Sequence, residues 1–213
     1  MSETIVVLGA GGHGKVVADI ALSAGLAVVA FIDDAPAKQS TAIWNIPVLS
    51  WARFSDEPGP WRDGVVALGI GDNATRERLA GKVRDAGFAL ATLVHPRAAV
   101  ARTARLGAGV VVMAGAAVNP DAVLGEGAIL NTGAVVEHDC VVGPYAHLSP
   151  NAALGGAVRV GARTHLGLGA VALPGVVIGS DVRVGAGAVV HREVSDGLTV
   201  AGVPARPLKG TEK

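Results

Sequence analysis

Hydrophobic and polar positions obey one rule before about residue 95 and another after it. Over residues 4–94, short apolar runs alternate with longer mixed stretches. "TIVVLG" predicts a buried strand, "AGGHG" a turn, and "KVVADIALSAG" a helix closed by Gly25. "LAVVAFIDD" predicts a second buried strand ending at Asp33 and Asp34. After a connection rich in Pro and Trp, "GVVALGIG" reads as a third strand. "NATRERLAGKVRDAG" reads as a polar helix capped by Asn73, and "FALATLV" as a fourth strand. Strands alternating with helices predict a small parallel sheet of the Rossmann type over residues 1–95.

From residue 100 the period becomes six. Every sixth position from Val100 to Val190 is Val, Leu or Ile, with Ala172 the one exception. The residue two places earlier is small or Val throughout, apart from Cys140 and Thr164, and the residue after is Gly eight times. One aliphatic and one small inward position per hexad fits neither a helix nor an ordinary alternating strand. It fits a solenoid whose hexads are each a short face and a corner, three of them completing a triangular coil. Residue n then stacks on residue n+18, about 4.8 Å away. Residues 96–200 form this second domain, followed by a tail over 201–213.

Composition agrees with a narrow prism. Aromatics make up only 3% of the chain and Gly numbers 30, so small aliphatics fill the interior and Gly, Asn and Asp serve at corners. Eighteen basic residues balance eighteen acidic ones, which gives no field for nucleic acid or an anionic membrane. The N-terminus lacks the basic and apolar regions of a signal peptide, and no apolar run escapes interruption by Gly, so a cytoplasmic protein is expected. The single cysteine excludes an internal disulfide framework.

The repeat register orients the most unusual stretch, "ILNTGAVVEHDC" at 129–140. Val136 and Cys140 take inward positions, so Glu137, His138 and Asp139 share an exposed corner. Most matching corners carry Ala, Pro, Gly, Ser or Thr, so an imidazole between two carboxylates is an outlier. Gly156 follows His138 by eighteen residues, one coil on, and its backbone N–H is a candidate donor to an oxyanion. His147 and His165 are also eighteen apart and stack on one outer face, with Arg183 one coil further. No third histidine shares their column, so a metal is not expected.

Gly9, Gly11 and Gly14 satisfy G-x-G-x-x-G between a strand and a helix, with Asp33 ending the next strand. A nicotinamide oxidoreductase with a β-helix oligomerisation module is therefore one reading. About 95 residues leave no second half-site for nicotinamide, whereas a helix N-terminus holds a nucleotide sugar's pyrophosphate equally well.

The hexads resemble those of the hexapeptide-repeat acyltransferases, left-handed parallel β-helices, and "VAGVPARPLKG" resembles the segment that follows their last coil. Joined to "GAGGHG" and "FIDD", the pattern resembles bacterial nucleotide-sugar acetyltransferases that acetylate a 4-amino sugar on UDP or GDP, with sialic acid O-acetyltransferases as relatives. The resemblance implies an acetyl-CoA-dependent N-acetyltransferase, assembled as a homotrimer, with His138 as general base, Asp139 raising its basicity, and no acyl-enzyme. It implies nucleotide-sugar contacts at Gly11, Gly12, His13, Asp33, Asp34 and Gly69. Asn131 matches a polar residue near the family's active site, and a purely structural corner Asn is an equal reading. Acetyl-CoA contacts are implied at His147, Leu168 and Ala186. His165 and Arg183 share the outer face of His147, and Arg159, Arg163 and Arg192 are further candidates for the CoA phosphates. An O-acetyltransferase of the sialic acid type and a sugar-nucleotide-binding scaffold without catalysis remain alternatives.

Overall fold

The computed structural model describes residues 4–57, 59, 61 and 64–208; the last five residues of the expected 201–213 tail lie outside them. The chain divides into two compact units, Met1–Pro96 and Arg97–Lys213.

The first unit contains strand β1 (Thr4–Leu8), helix α1 (Gly12–Ser23), strands β2 (Ala27–Ile32), β3 (Ala42–Ile43) and β4 (Ile46–Leu49), helix α2 (Trp51–Asp56), strand β5 (Val65–Leu68) and helix α3 (Asn73–Asp85). The sheet runs β3-β4-β2-β1-β5. All pairings are parallel except the β3–β4 hairpin. Ile5, Val6, Val7, Phe31, Ile32, Val66 and Ala67 are all buried, which explains why these strands read as continuous apolar runs. α1 ends as expected at Gly25, whose φ of 78° lets the following Leu26 N–H reach back to the Ala21 carbonyl at 3.0 Å.

Two expectations need correction here. The cap of α3 is Asp72, whose carboxylate accepts from Thr75 N at 2.9 Å. Asn73 lies one residue inside the helix and turns its side-chain oxygen to Arg76 instead. The fourth parallel strand is β4, inside the stretch read as a connection. Of "FALATLV", Leu90 makes an isolated bridge to Val66 and only Leu93–Val94 is extended. Pro47 masked β4, because Pro argues against a central strand. It sits near the strand's start, before the Val48 and Leu49 pairs with β2, and the Trp44–Asn45 turn ahead of it has φ of 52° and 64°.

The second unit is a parallel β-helix. Two-residue strands pair n with n+18 as far as Val171↔Val189, as in Val135↔Ala153 and Val136↔Leu154, and the closing pair Arg183↔Thr199 is 16 residues apart. One face carries six strands and another five. The third runs from Val111–Val112 to Thr199–Ala201, where Arg206–Pro207 folds back antiparallel. The inward aliphatic column is buried from Val112 to Val190, including Ala172. Each Val or Leu so buried contributes about 1.5–3 kcal/mol. Val100 and Leu106, in the unit's first coil, are half-buried.

The eight glycines after inward aliphatics are there for space rather than for positive φ. At Gly107, Gly125 and Gly167, for example, an added Cβ would approach the next coil's backbone within 3.0 Å. Where a side chain replaces Gly at this position, the coil gains a polar or bulky projection. Asn131, Glu137 and Ser149 are three such residues.

Candidate active site

The coil corners create a regular surplus of amide groups. At a corner, the residue in the left-handed conformation donates its N–H to the previous coil: Asp139 N to the Pro120 carbonyl at 3.1 Å, and Ala157 N to the His138 carbonyl at 2.9 Å. The residue just before it makes no backbone bond through its N–H, which is why Pro occurs there at 120, 144, 150 and 174. His138 and Gly156 occupy this position on successive coils.

Asp139 has φ of 60°, a conformation that Asp tolerates better than most residues. Its carboxylate thereby meets the imidazole beside it: His138 Nδ1 lies 2.7 Å from Asp139 Oδ2, and both side chains are well exposed. The hydrogen bond to Asp139 raises the His138 pKa above its ordinary 6.5, and the charges of Asp139 and Glu137 add to the effect. Glu137, to which the sequence assigned no role, also accepts the His138 backbone N–H at 3.4 Å. With Nδ1 committed, Nε2 is the basic edge. The ring lies over Gly156, where an added Cβ would stand 2.7 Å from both Cε1 and Nε2. Base and unused amide are therefore neighbours.

Cys140 is fully buried, and its thiol donates to the Gly155 carbonyl at 3.1 Å. Burial raises its pKa, so it is a core residue rather than a nucleophile.

On the third face of the prism, the one that the His138 corner does not border, His147 and His165 stack with centroids 4.8 Å apart and planes 8° from parallel. Asn131 joins this pair: its oxygen accepts Thr132 N at 2.8 Å, which leaves its amide nitrogen to donate to His147 Nε2 at 3.1 Å. His147 thus carries its proton on Nδ1. Ser149 makes the equivalent contact with His165 Nε2 at 2.7 Å. Arg183 pairs with His165 across the ladder. Arg183, Leu168 and Ala186 are exposed. Arg163 is bound in both its Nε and Nη2 to Asp181, at 2.8 and 2.7 Å, while Arg159 stays exposed. Arg192 lines a small cavity of about 170 Å³ with His191 and Val194.

In the first unit, a cavity of about 300 Å³ opens at the carboxyl ends of β1 and β2, between Gly9, Asp33, Asp34, Trp51, Ile70 and Lys82. This is where a doubly wound sheet binds ligands. The two aspartates differ. Asp33 Oδ2 accepts Ala10 N at 3.0 Å and Lys38 Nζ at 2.7 Å, and Oδ1 accepts Ala35 N at 3.0 Å. Burial alone would raise its pKa, but these three bonds hold it below the ordinary value. Asp33 therefore braces the glycine turn, while Asp34, whose side chain is 62% exposed, faces the opening and accepts Trp51 N at 2.7 Å.

Of the other expected contacts, Gly11 and Gly12 have open space around them, whereas Gly69 is pressed against Gly14 and Leu8 and does not line the cavity. His13 is mostly buried. The cavity wall also holds residues that the sequence did not suggest. Lys82 Nζ sits 4.2 Å from the centre of the Trp51 ring, and Arg78 lines the same wall. Arg78 and Lys82 are spaced i, i+4 on α3, a helical-face signal that could have found them.

Among the described residues there is no group of three His, Cys, Asp or Glu that could hold a metal, and no helix long and apolar enough to cross a membrane.

Residues 4–83 match the PglD N-terminal domain family. Over nearly the whole length, the chain is similar to solved structures. The acetyltransferase domain of PglB from Neisseria gonorrhoeae FA1090 shares 38% identity at a TM-score of 0.91, with 97% of this chain and 100% of that one covered. The same domain has also been solved in complex with acetyl coenzyme A. PerB from Caulobacter crescentus, solved in complex with CoA and GDP-perosamine, shares 43% identity at a TM-score of 0.89, covering 96% and 97% of the two chains. WeeI from Acinetobacter baumannii AYE shares 28% identity at a TM-score of 0.89, covering 97% and 100%. The β-helix is the left-handed one of hexapeptide-repeat acetyltransferases. No curated protein matches the chain.

Proposed function

We propose, because the chain belongs to the nucleotide-sugar acetyltransferase family, that it transfers the acetyl group of acetyl-CoA to the 4-amino group of a sugar carried on UDP or GDP. The observation that carries the reading is the Asp139–His138–Gly156 corner: a clamped imidazole with its basic nitrogen beside an unused amide.

The chemistry asks for such a pair. A sugar ammonium titrates roughly like an α-amino group, near 7.7–8.0, and must lose a proton before its nitrogen can attack a thioester. That first proton leaves to solvent; as the new C–N bond forms the attacking nitrogen becomes cationic, and His138 Nε2, made more basic by Asp139, accepts the second proton from it. The carbonyl oxygen becomes negative in the tetrahedral intermediate, and the Gly156 N–H is the donor we assign to it. Collapse breaks the C–S bond, and the imidazolium proton returns to the departing CoA thiolate. No acyl-enzyme is needed, in keeping with a buried Cys140.

The cavity of the first unit receives the nucleotide, with Asp34, Trp51 and Lys82 at its wall. The His147–His165 face, with Asn131, Leu168, Ala186 and Arg183, receives acetyl-CoA. The exposure of Leu173 (46%) and Val177 (41%) on the prism supports self-association, and we assign a homotrimer. An acetylated amino sugar on a nucleotide carrier is a glycosyl donor, so the reaction belongs to cytoplasmic polysaccharide biosynthesis.

The test is mass spectrometry after incubation with acetyl-CoA and either a UDP- or a GDP-linked 4-amino sugar. Gain of one acetyl group on the amine is expected, and the preferred nucleotide is read from the same experiment. Acetylation of a hydroxyl alone would move the chain to the O-acetyltransferases, and no transfer to any amine or hydroxyl would overturn the reading.

A further inference from the structure

Arg76, in the first turn of α3, is a large side chain with 0% exposure. A buried guanidinium is costly unless its donors are met. Here the planar fork is spread over one short segment. Nη1 donates to the Ile70 and Gly71 carbonyls at 3.1 and 3.0 Å, and Nη2 to Asn73 Oδ1 at 2.9 Å. Ile70 and Gly71 belong to the β5–α3 loop and Asn73 opens α3, and Ile70 forms part of the nucleotide cavity wall.

That loop is interlocked with the glycine turn after β1. Gly69 N donates to the Leu8 carbonyl at 2.8 Å. An added Cβ on Gly69 would come within 2.8 Å of Gly14 Cα, and one on Gly9 within 2.7 Å of Ile70 Cδ1. His13, in the first turn of α1, also packs near the loop, with Cγ 4.0 Å from where a Cβ of Gly71 would stand. Burial, with the charge of Arg76 added, keeps its imidazole neutral down to about pH 4. β1 and β5 are neighbours at the point where strand order reverses, so both loops border the ligand crevice.

We propose that Arg76 is a positioning residue for the nucleotide sugar: its fork fixes the β5–α3 loop, and through that loop the glycine turn, so that the cavity wall is formed before the substrate arrives. This rests on the reading of the first unit as the nucleotide-sugar holder. Arg76 does not touch the substrate. Its planar geometry matters because the three acceptors are spread apart, and a lysine ammonium cannot span them equally.

The test compares Arg76→Met and Arg76→Lys in the full chain by steady-state kinetics and by hydrogen exchange. In Arg76→Met the KM for the nucleotide sugar rises about tenfold or more, while the acetyl-CoA KM and kcat stay within about twofold. Arg76→Lys lies between Met and wild type. Amides of residues 69–73 and also of 9–14 exchange faster in both variants, the second segment through its packing against the first. Equal loss in both KM values and kcat would mean general destabilisation and overturn the proposal, as would faster exchange confined to 69–73. Should Arg76→Met not fold, Arg76→Lys carries both measurements. Should no nucleotide sugar be a substrate of the wild-type chain, the functional reading fails, while the exchange pattern still decides whether Arg76 couples the two loops.

Discussion

The imidazole of His138 rests on Gly156, one coil further along, so closely that a methyl group on Gly156 would stand 2.7 Å from His138 Cε1 and Nε2. The stacking register of the β-helix thus sets the distance between a base and an amide donor. Gly156→Ala should push the ring off its seat while leaving the coil intact, because the atoms it meets are the end of an exposed side chain. We expect kcat to fall about tenfold to a hundredfold with a melting temperature within about 2 °C of wild type, measured on one preparation. Unchanged kcat would separate Gly156 from the chemistry.

The Asp139 clamp makes a prediction in pH. Because the hydrogen bond to Asp139 raises the His138 pKa above 6.5, the base is lost as pH falls through that raised value, and the acid limb of kcat/KM lies above 6.5. In Asp139→Asn the limb shifts to lower pH, and the plateau drops because the weakened base is also no longer held. A limb that stays in place would assign it to another group.

Cys140 tests the absence of an acyl-enzyme. Its thiol is buried and bonded to the Gly155 carbonyl, so Cys140→Ala should retain activity within about threefold, at a stability cost of about 1 kcal/mol. Native protein should resist a thiol reagent that labels the unfolded chain at once. Loss of turnover with unchanged stability would bring the covalent route back.

His13 gives the fold a dependence on pH. The folded chain leaves it unprotonated until the pH nears 4, whereas the unfolded chain takes up that proton near 6.5. Stability of the first unit is therefore level above about 6.5 and declines from there to about 4, by roughly 3 kcal/mol. Asp33, with its pKa below 3.8, acts only at lower pH. Denaturant midpoints between pH 4 and 7 should show this slope in wild type and a much smaller one in His13→Gln. Parallel slopes would place the titration elsewhere.

The sequence revealed the β-helix more fully than the sheet domain because stacking forces one residue type into a column. Val112 through Val190 could be read as inward without any structure, and so could the pairing of His138 with Gly156. The reason for each glycine was less accessible: close approach of the next coil at Gly125 and a left-handed corner at Gly133 look alike in one letter. In the sheet domain, β4 was hidden by Pro47. Asp33 and Asp34 looked equivalent, although Asp33 is consumed by Ala10, Ala35 and Lys38. Trp51 and Lys82 meet across the cavity from elements with no shared period, so only the folded chain brings them together.

The central claim is that His138 removes the proton from the attacking amine. It is tested most directly by the kcat of His138→Ala with a nucleotide-linked 4-amino sugar and saturating acetyl-CoA at neutral pH, alongside the acetyl-CoA dissociation constant of the same variant. Loss of about a hundredfold or more in kcat, with acetyl-CoA affinity within about twofold of wild type, is the predicted result. A variant that keeps most of its turnover would contradict the claim and leave proton loss to water.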